Sequence, residues 1–84
     1  MTKNEADSLA KALKRQFGGK TEYEQVDERG RYRFAITSKR FDAMPHLKRQ
    51  DEIWEIVDKV LSRDATMDVS TILAYSPADL AALR

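Results

Sequence analysis

RYRFAITSKRFDAMPHLKRQDEIWEIVDKVL, residues 31–61, changes its periodicity in the middle, and that change decides the fold. In its first part Tyr32, Phe34 and Ile36 alternate with Arg31, Arg33, Ala35 and Thr37, the period-two pattern of a strand with one apolar and one wet face. From Pro45 onward the pattern is helical. Pro45 suits a first helical position because it has no amide hydrogen to satisfy. Leu47, Ile53, Trp54, Ile56, Val57, Val60 and Leu61 form the expected buried stripe, and Lys48, Glu52, Glu55 and Lys59 the wet side.

Working outward, KTEYEQV (20–26) reads as a partner strand joined through Asp27-Glu28-Arg29-Gly30, where the glycine marks a hairpin. It alternates poorly, which places it at a sheet edge. Glu22 and Glu24 are candidates to pair with Arg31 and Arg33 across the hairpin. Upstream, Ala6, Leu9, Ala10, Leu13 and Phe17 recur at helical spacing. Thr2 and Glu5 form a capping box, and Gly18-Gly19 stop the helix. Downstream, SRDAT (62–66) reads as a linker and MDVSTILAY (67–75) as a strand offering Val69, Ile72, Leu73 and Tyr75 to the core. SPADLAALR (76–84) reads as a helix capped by Ser76 and reinforced by Asp79. The order is α-β-β-α-β-α. The long helix between the second and third strands allows a right-handed crossover, so those strands are parallel if adjacent. The expected fold class is α+β: a two-layer sandwich with a three-stranded mixed sheet and helices on one face.

Eighty-four residues make one domain, residues 1–84, which buries only about 60 % of its unfolded surface. Fifteen basic against fourteen acidic residues give a net charge of +1, too balanced for a strong phosphate-attracting field. Cysteine is absent, which removes disulfides, thiol catalysis and thiolate ligands together. There is no membrane-length apolar run and no signal peptide, so the expected compartment is the cytoplasm.

The chemistry-bearing residues cluster at the start of the long helix. With Val57 at the centre of its buried face, His46 and Gln50 each lie about 20° to one side on the inward stripe. A polar margin closed by a His46–Gln50 hydrogen bond is one reading, and a recognition notch the other. Arg49 falls on the flank, where solvation is the commoner outcome. Lys39, Arg40, Lys48 and Arg49 make a local basic cluster, the basis for an alternative reading as a nucleic-acid-binding KH-like regulator. Against it, a KH loop needs Gly-x-x-Gly, and the glycines here are 18, 19 and 30. An enzyme is not expected, because no nucleophile–base pair is apparent. A lone histidine makes no metal site.

The same residues resemble the BolA-like family, small proteins with a class II KH-like fold. Ser38, Lys39, Arg40, Phe41 and Asp42 stand where that family runs from its second strand into a phenylalanine-acid-glycine turn, with Ala43 for the glycine. Arg49-Gln50 followed by Ile53-Trp54 stand where it carries an Arg-His pair and then an aliphatic-aromatic pair. Tyr75-Ser76-Pro77-Ala78-Asp79 stand where it closes with Thr-Pro-Glu. The resemblance spans residues 32–80. It implies a non-enzymatic adaptor or regulator that partners monothiol glutaredoxins, where a [2Fe–2S] cluster is shared. The family's usual histidine ligand at the start of the last strand is Asp68 here, and the short hairpin loop offers neither histidine nor cysteine. A carboxylate is harder than imidazole and less suited to a sulfide-rich cluster. The resemblance therefore implies a divergent member that binds a protein partner and contributes no metal ligand or cofactor of its own. The expected partner surface is Phe41, His46, Arg49, Gln50 and Asp68. The expected state is a monomer or a weak homodimer through strand edges.

Overall fold

The computed structural model describes residues 1–82. The first helix, α1 (Lys3–Phe17), starts at the capping box: Glu5 N–H donates to Thr2 Oγ1 at 3.1 Å and Thr2 N–H to Glu5 Oε1 at 2.8 Å. Its inward stripe is Ala6, Leu9, Leu13 and Phe17. The hairpin strands β1 (Lys20–Gln25) and β2 (Tyr32–Thr37) pair antiparallel, Tyr23 opposite Phe34 and Glu24 opposite Arg33. A 3-10 turn (Lys39–Phe41) leads to α2 (His46–Val60), then a short α3 (Arg63–Thr66), β3 (Val69–Tyr75) and α4 (Pro77–Ala82). Leu83 and Arg84, the end of the expected last helix, lie outside the described residues.

The sheet order is β1-β2-β3, with β2 and β3 parallel. The first strand is thus an edge, as its weak alternation implied. One face of the sheet turns Tyr32, Phe34, Ile36, Val69, Ile72 and Ala74 into a core shared with α1 and α2, whose Ile53 and Val57 are fully buried. The fold is the α+β two-layer arrangement expected from the element order.

Several local expectations change. The stretch after Leu61 is not a plain linker. Ser62 Oγ accepts Ala65 N–H at 3.1 Å and so caps α3. Pro45 lies just outside α2 as its N-cap, with extended backbone at φ −62° and ψ 155°. Leu47 is 81 % exposed and Val60 is also exposed, so neither belongs to the buried stripe. Leu47 sits about 120° around the helix from Ile53. In β3 the register slips between the partners of Tyr32 and Arg33, so Val69 and Ile72 both face inward. Ala74 follows them into the core, while Leu73 and Tyr75 turn to the other face half-buried. Across the hairpin, Glu24 pairs with Arg33 as expected. Glu22 pairs instead with Lys20, and Arg31 with Asp27, because the register puts Ala35 opposite Glu22.

The turn from α1 into β1 depends on one close approach. Gly18 and Gly19 both have positive φ, but only Gly19 is pressed against another chain segment. A Cβ there would stand 2.1 Å from the Thr37 carbonyl oxygen, whereas one at Gly18 would meet nothing within 4 Å. Gly19→Ala should therefore cost clearly more than the ~1 kcal/mol expected of Gly18→Ala, where only the left-handed backbone is penalised. Urea unfolding of the two variants, compared with the parent, measures this difference.

Candidate partner-binding surface

The segment from β2 to α2 is pinned before the helix begins. Ser38, 2 % exposed, donates its hydroxyl to the Phe17 carbonyl at 2.6 Å and accepts Arg40 N–H at 3.1 Å. Phe41 follows at 0 % exposure, its ring centroid 4.9 Å from that of Phe17. It belongs to the core and presents nothing to a partner.

Arg49 is the largest departure from the sequence reading. Its guanidinium turns inward and the residue is 5 % exposed. Nε donates to Met44 O at 2.9 Å and Nη2 to Phe41 O at 2.6 Å. Nη1 donates to Ala74 O at 3.2 Å and to Asp79 Oδ2 at 2.7 Å. The charge also lies 5.6 Å from the Phe41 ring centroid. A buried guanidinium is tolerated because its planar fork meets an acceptor in each direction. Asp79 is held by more than this ion pair. Its Oδ2 accepts Ser76 N–H at 2.9 Å, and its own N–H donates to Ser76 Oγ at 3.1 Å. The Ser76 amide first, and the Arg49 guanidinium second, lower the Asp79 carboxyl from the usual 3.8 to about 2.

Gln50 continues the same pattern. Its Nε2 donates to Ile72 O at 3.1 Å, and its Oε1 accepts Trp54 Nε1–H at 3.2 Å. The expected His46–Gln50 bond is thus replaced by a Trp54–Gln50–β3 bridge. Trp54 packs against the core from its edge. His46 lies on the helical stripe the sequence assigned it but is exposed. Asp68, immediately before β3, accepts from the Met1 amino group through its carboxylate, and its backbone carbonyl accepts Tyr32 N–H at 2.8 Å.

The five residues of the expected partner surface therefore divide by depth. Phe41 and Arg49 are interior supports, Gln50 and Asp68 are half-buried, and His46 is open. Leu47, beside His46, is the exposed apolar residue that the stripe count had assigned to the core. The basic cluster divides as well. Lys39, Arg40 and Lys48 are exposed, but Arg49 is withdrawn, and Arg40 is laid over the Phe17 ring at 5.9 Å with a bond to the Gln16 carbonyl. The loss of Arg49 leaves the nucleic-acid alternative without its fourth cation.

A signal for Arg49 existed in the sequence. Arg49, Ile53, Val57 and Leu61 are spaced by four, and the last three are buried. Ser76-Pro77-Ala78-Asp79 supplies the acid that the inward arginine needs.

Among the described residues no three His, Asp or Glu side chains converge to hold a metal ion. Of the positions a shared cluster would draw on, Asp68 is engaged with the Met1 amine. Asp27 in the hairpin accepts from the amides of Arg29 and Arg31 and from Arg31 Nε at 2.6 Å. These hard, already partnered carboxylates do not fit a sulfide-rich cluster. No described helix is long and apolar enough to cross a membrane.

No family model matches the sequence, and no curated protein matches it. Solved structures do. BolA1 from Arabidopsis thaliana superposes with a TM-score of 0.71 at 17 % identity, covering 93 % of this chain and 98 % of that one. The BolA domain of SufE1 from Arabidopsis thaliana gives 0.66 at 17 % identity, covering 93 % and 96 %. The chain has a BolA-like fold.

Arg49→Ala should cost about 3–5 kcal/mol in urea unfolding, because Asp79 and three carbonyls lose their donor in a closed site. Arg49→Lys should recover only part, since an ammonium lacks the planar fork. Asp79 also carries a pH signature. Its folded pKa lies below the unfolded value, so its contribution is complete above about pH 4 and is lost as pH falls toward 2. Stability measured from pH 5 to pH 2 should fall less steeply for Asp79→Asn than for the parent.

Proposed function

We propose that this chain is a non-enzymatic protein-interaction adaptor, and that the first exposed turn of α2 is where its partner docks. The observation that carries this reading is Leu47: a leucine 81 % exposed, next to exposed His46 and one turn before half-buried Gln50. An apolar side chain held out on a rigid helix, with polar neighbours around it, has the layout of an interface anchor. The turn beneath it is fixed by Arg49 bonding the Phe41 and Met44 carbonyls, so the anchor is presented by a prepared surface. The buried polar side chains support a non-catalytic role. Arg49 and Gln50 direct their donors to backbone carbonyls rather than into a cavity.

The BolA-like fold and the sequence resemblance together favour a monothiol glutaredoxin as the partner. Since the carboxylates present do not suit a cluster, docking rests on protein contacts alone. His46, Leu47 and Gln50 form the contact, with Asp68 at its margin and Phe41 and Arg49 as supports behind it.

An amide-shift NMR titration with a monothiol glutaredoxin in apo form tests this. The expected result is shifts centred on His46, Leu47 and Gln50, of similar size when the glutaredoxin carries its cluster. Leu47→Asp should leave stability within about 0.5 kcal/mol of the parent and weaken the complex at least about tenfold. Absence of shifts in both forms would sink the glutaredoxin assignment, and shifts confined to another face would sink the α2 surface.

A further inference from the structure

Surface troughs on this molecule differ in the charge of their lining. One on the sheet has Glu22 and Glu24 beside Arg33, one near α4 has Lys20 beside Glu22, and one after α2 has Asp58 beside Arg63. Acid and base offset one another in each. A fourth trough, of about 380 Å³, has Lys20, Lys39 and Arg40 in its lining and no acidic residue. The rest of that lining is apolar or small, Phe17, Gly19 and Pro77 among it.

The trough is assembled by long-range contacts. Ser38 donates its hydroxyl to the Phe17 carbonyl at 2.6 Å, which fixes the 3-10 turn to the end of α1. Gly19, pressed against the Thr37 carbonyl, brings the start of β1 to the same place. Of the three cations, Lys20 is engaged with Glu22 at 2.6 Å. Lys39 and Arg40 are exposed and have no acidic partner among the described residues. Arg40 gives Nη1 to the Gln16 carbonyl and stands 5.9 Å from the Phe17 ring centroid. Its direction is thus set, while Nε and Nη2 have no acceptor among the described residues.

Charge distribution limits what kind of anion fits. Residues 14–20 and 38–42 hold five of the 15 basic residues, Lys14 and Arg15 being the other two, and one of the 14 acidic, Asp42. That leaves ten basic against thirteen acidic residues for the rest of the chain. An anion confined to this end is attracted, whereas one that runs on along the molecule meets a net negative remainder. A nucleic-acid strand or an anionic bilayer extends past the trough, and a short acidic stretch of polypeptide does not. The apolar part of the lining also suits an aliphatic side chain between carboxylates, which a phosphate backbone does not offer.

We propose that this trough receives a short acidic segment of a partner protein, with an aliphatic side chain in the trough and carboxylates on Lys39 and Arg40. None of His46, Leu47 and Gln50 lines it, so this site and the α2 surface can fail independently.

The test titrates the full chain, 15N-labelled, with the capped peptide Ser-Glu-Leu-Glu-Ser, its lysine counterpart Ser-Lys-Leu-Lys-Ser, and an eight-nucleotide oligothymidylate. The acidic peptide should shift the Gly19, Lys39 and Arg40 amides and leave His46 and Leu47 unmoved. The lysine peptide should shift none of them. Lys39→Glu, at an exposed side chain with no bonded partner, should weaken binding at least about fivefold. Lys59→Glu, an equal change of net charge on α2 outside the trough, should leave binding unchanged. No shifts at the trough, equal shifts from both peptides, or equal weakening by the two variants overturns the proposal. Tighter binding of the oligothymidylate at the same amides, falling steeply with salt, assigns the trough to nucleic acid and overturns it as well.

Discussion

The buried guanidinium of Arg49 is the constraint on which most of the tertiary arrangement depends. It reaches from the first turns of α2 to the 3-10 turn through Phe41 O, to the approach of the helix through Met44 O, to β3 through Ala74 O and to α4 through Asp79. These segments are distant in sequence and meet at one planar cation. A hydrophobic residue of that volume could fill the space but could not satisfy the carbonyls, and a buried unpaired carbonyl carries its own penalty. The arrangement therefore contributes uniqueness of docking as well as stability.

The same network has a consequence for the surface. A three-stranded sheet necessarily has two edges, and edges invite pairing. Here the helix that crosses between β2 and β3 also supplies Arg49 and Gln50 to cover the outward carbonyls of β3. The Ser76–Asp79 box covers the next outward amide. The crossover helix thus occupies two outward carbonyls of the β3 edge.

The functional reading follows from what these groups are engaged in. Arg49 and Gln50 direct their donors to backbone carbonyls and to Asp79, and the exposed groups at the start of α2 are a histidine and a leucine rather than a converging acid–base set. Fold likeness at 17 % identity establishes the BolA-like architecture. In the hairpin loop Asp27 is engaged with Arg31, and Asp68 with the Met1 amino group.

Local periodicity made the elements legible. The alternation Tyr32-Phe34-Ile36, the capping box at Thr2–Glu5, the glycine stop after Phe17 and the Ser-Pro-Ala-Asp start of the last helix each depend on residues within one or two turns. The order of those elements then limited the topology to a hairpin plus a right-handed crossover. The site was less legible, because its decisive facts are long-range. Arg49 reads as a solvated flank residue until Ala74 and Asp79 are known to stand beside it, 25 and 30 residues away. Leu47 reads as core until the inward face of the helix is seen to run through Arg49, Ile53 and Val57, which leaves Leu47 exposed. His46 keeps its stripe but is exposed at the first position of α2. Sequence alone determined which segments are the long helices and the strands, since those depend on local backbone preference, and missed only the short α3. Only the tertiary structure decided which side chains are interior, because burial depends on what the rest of the chain places opposite each face.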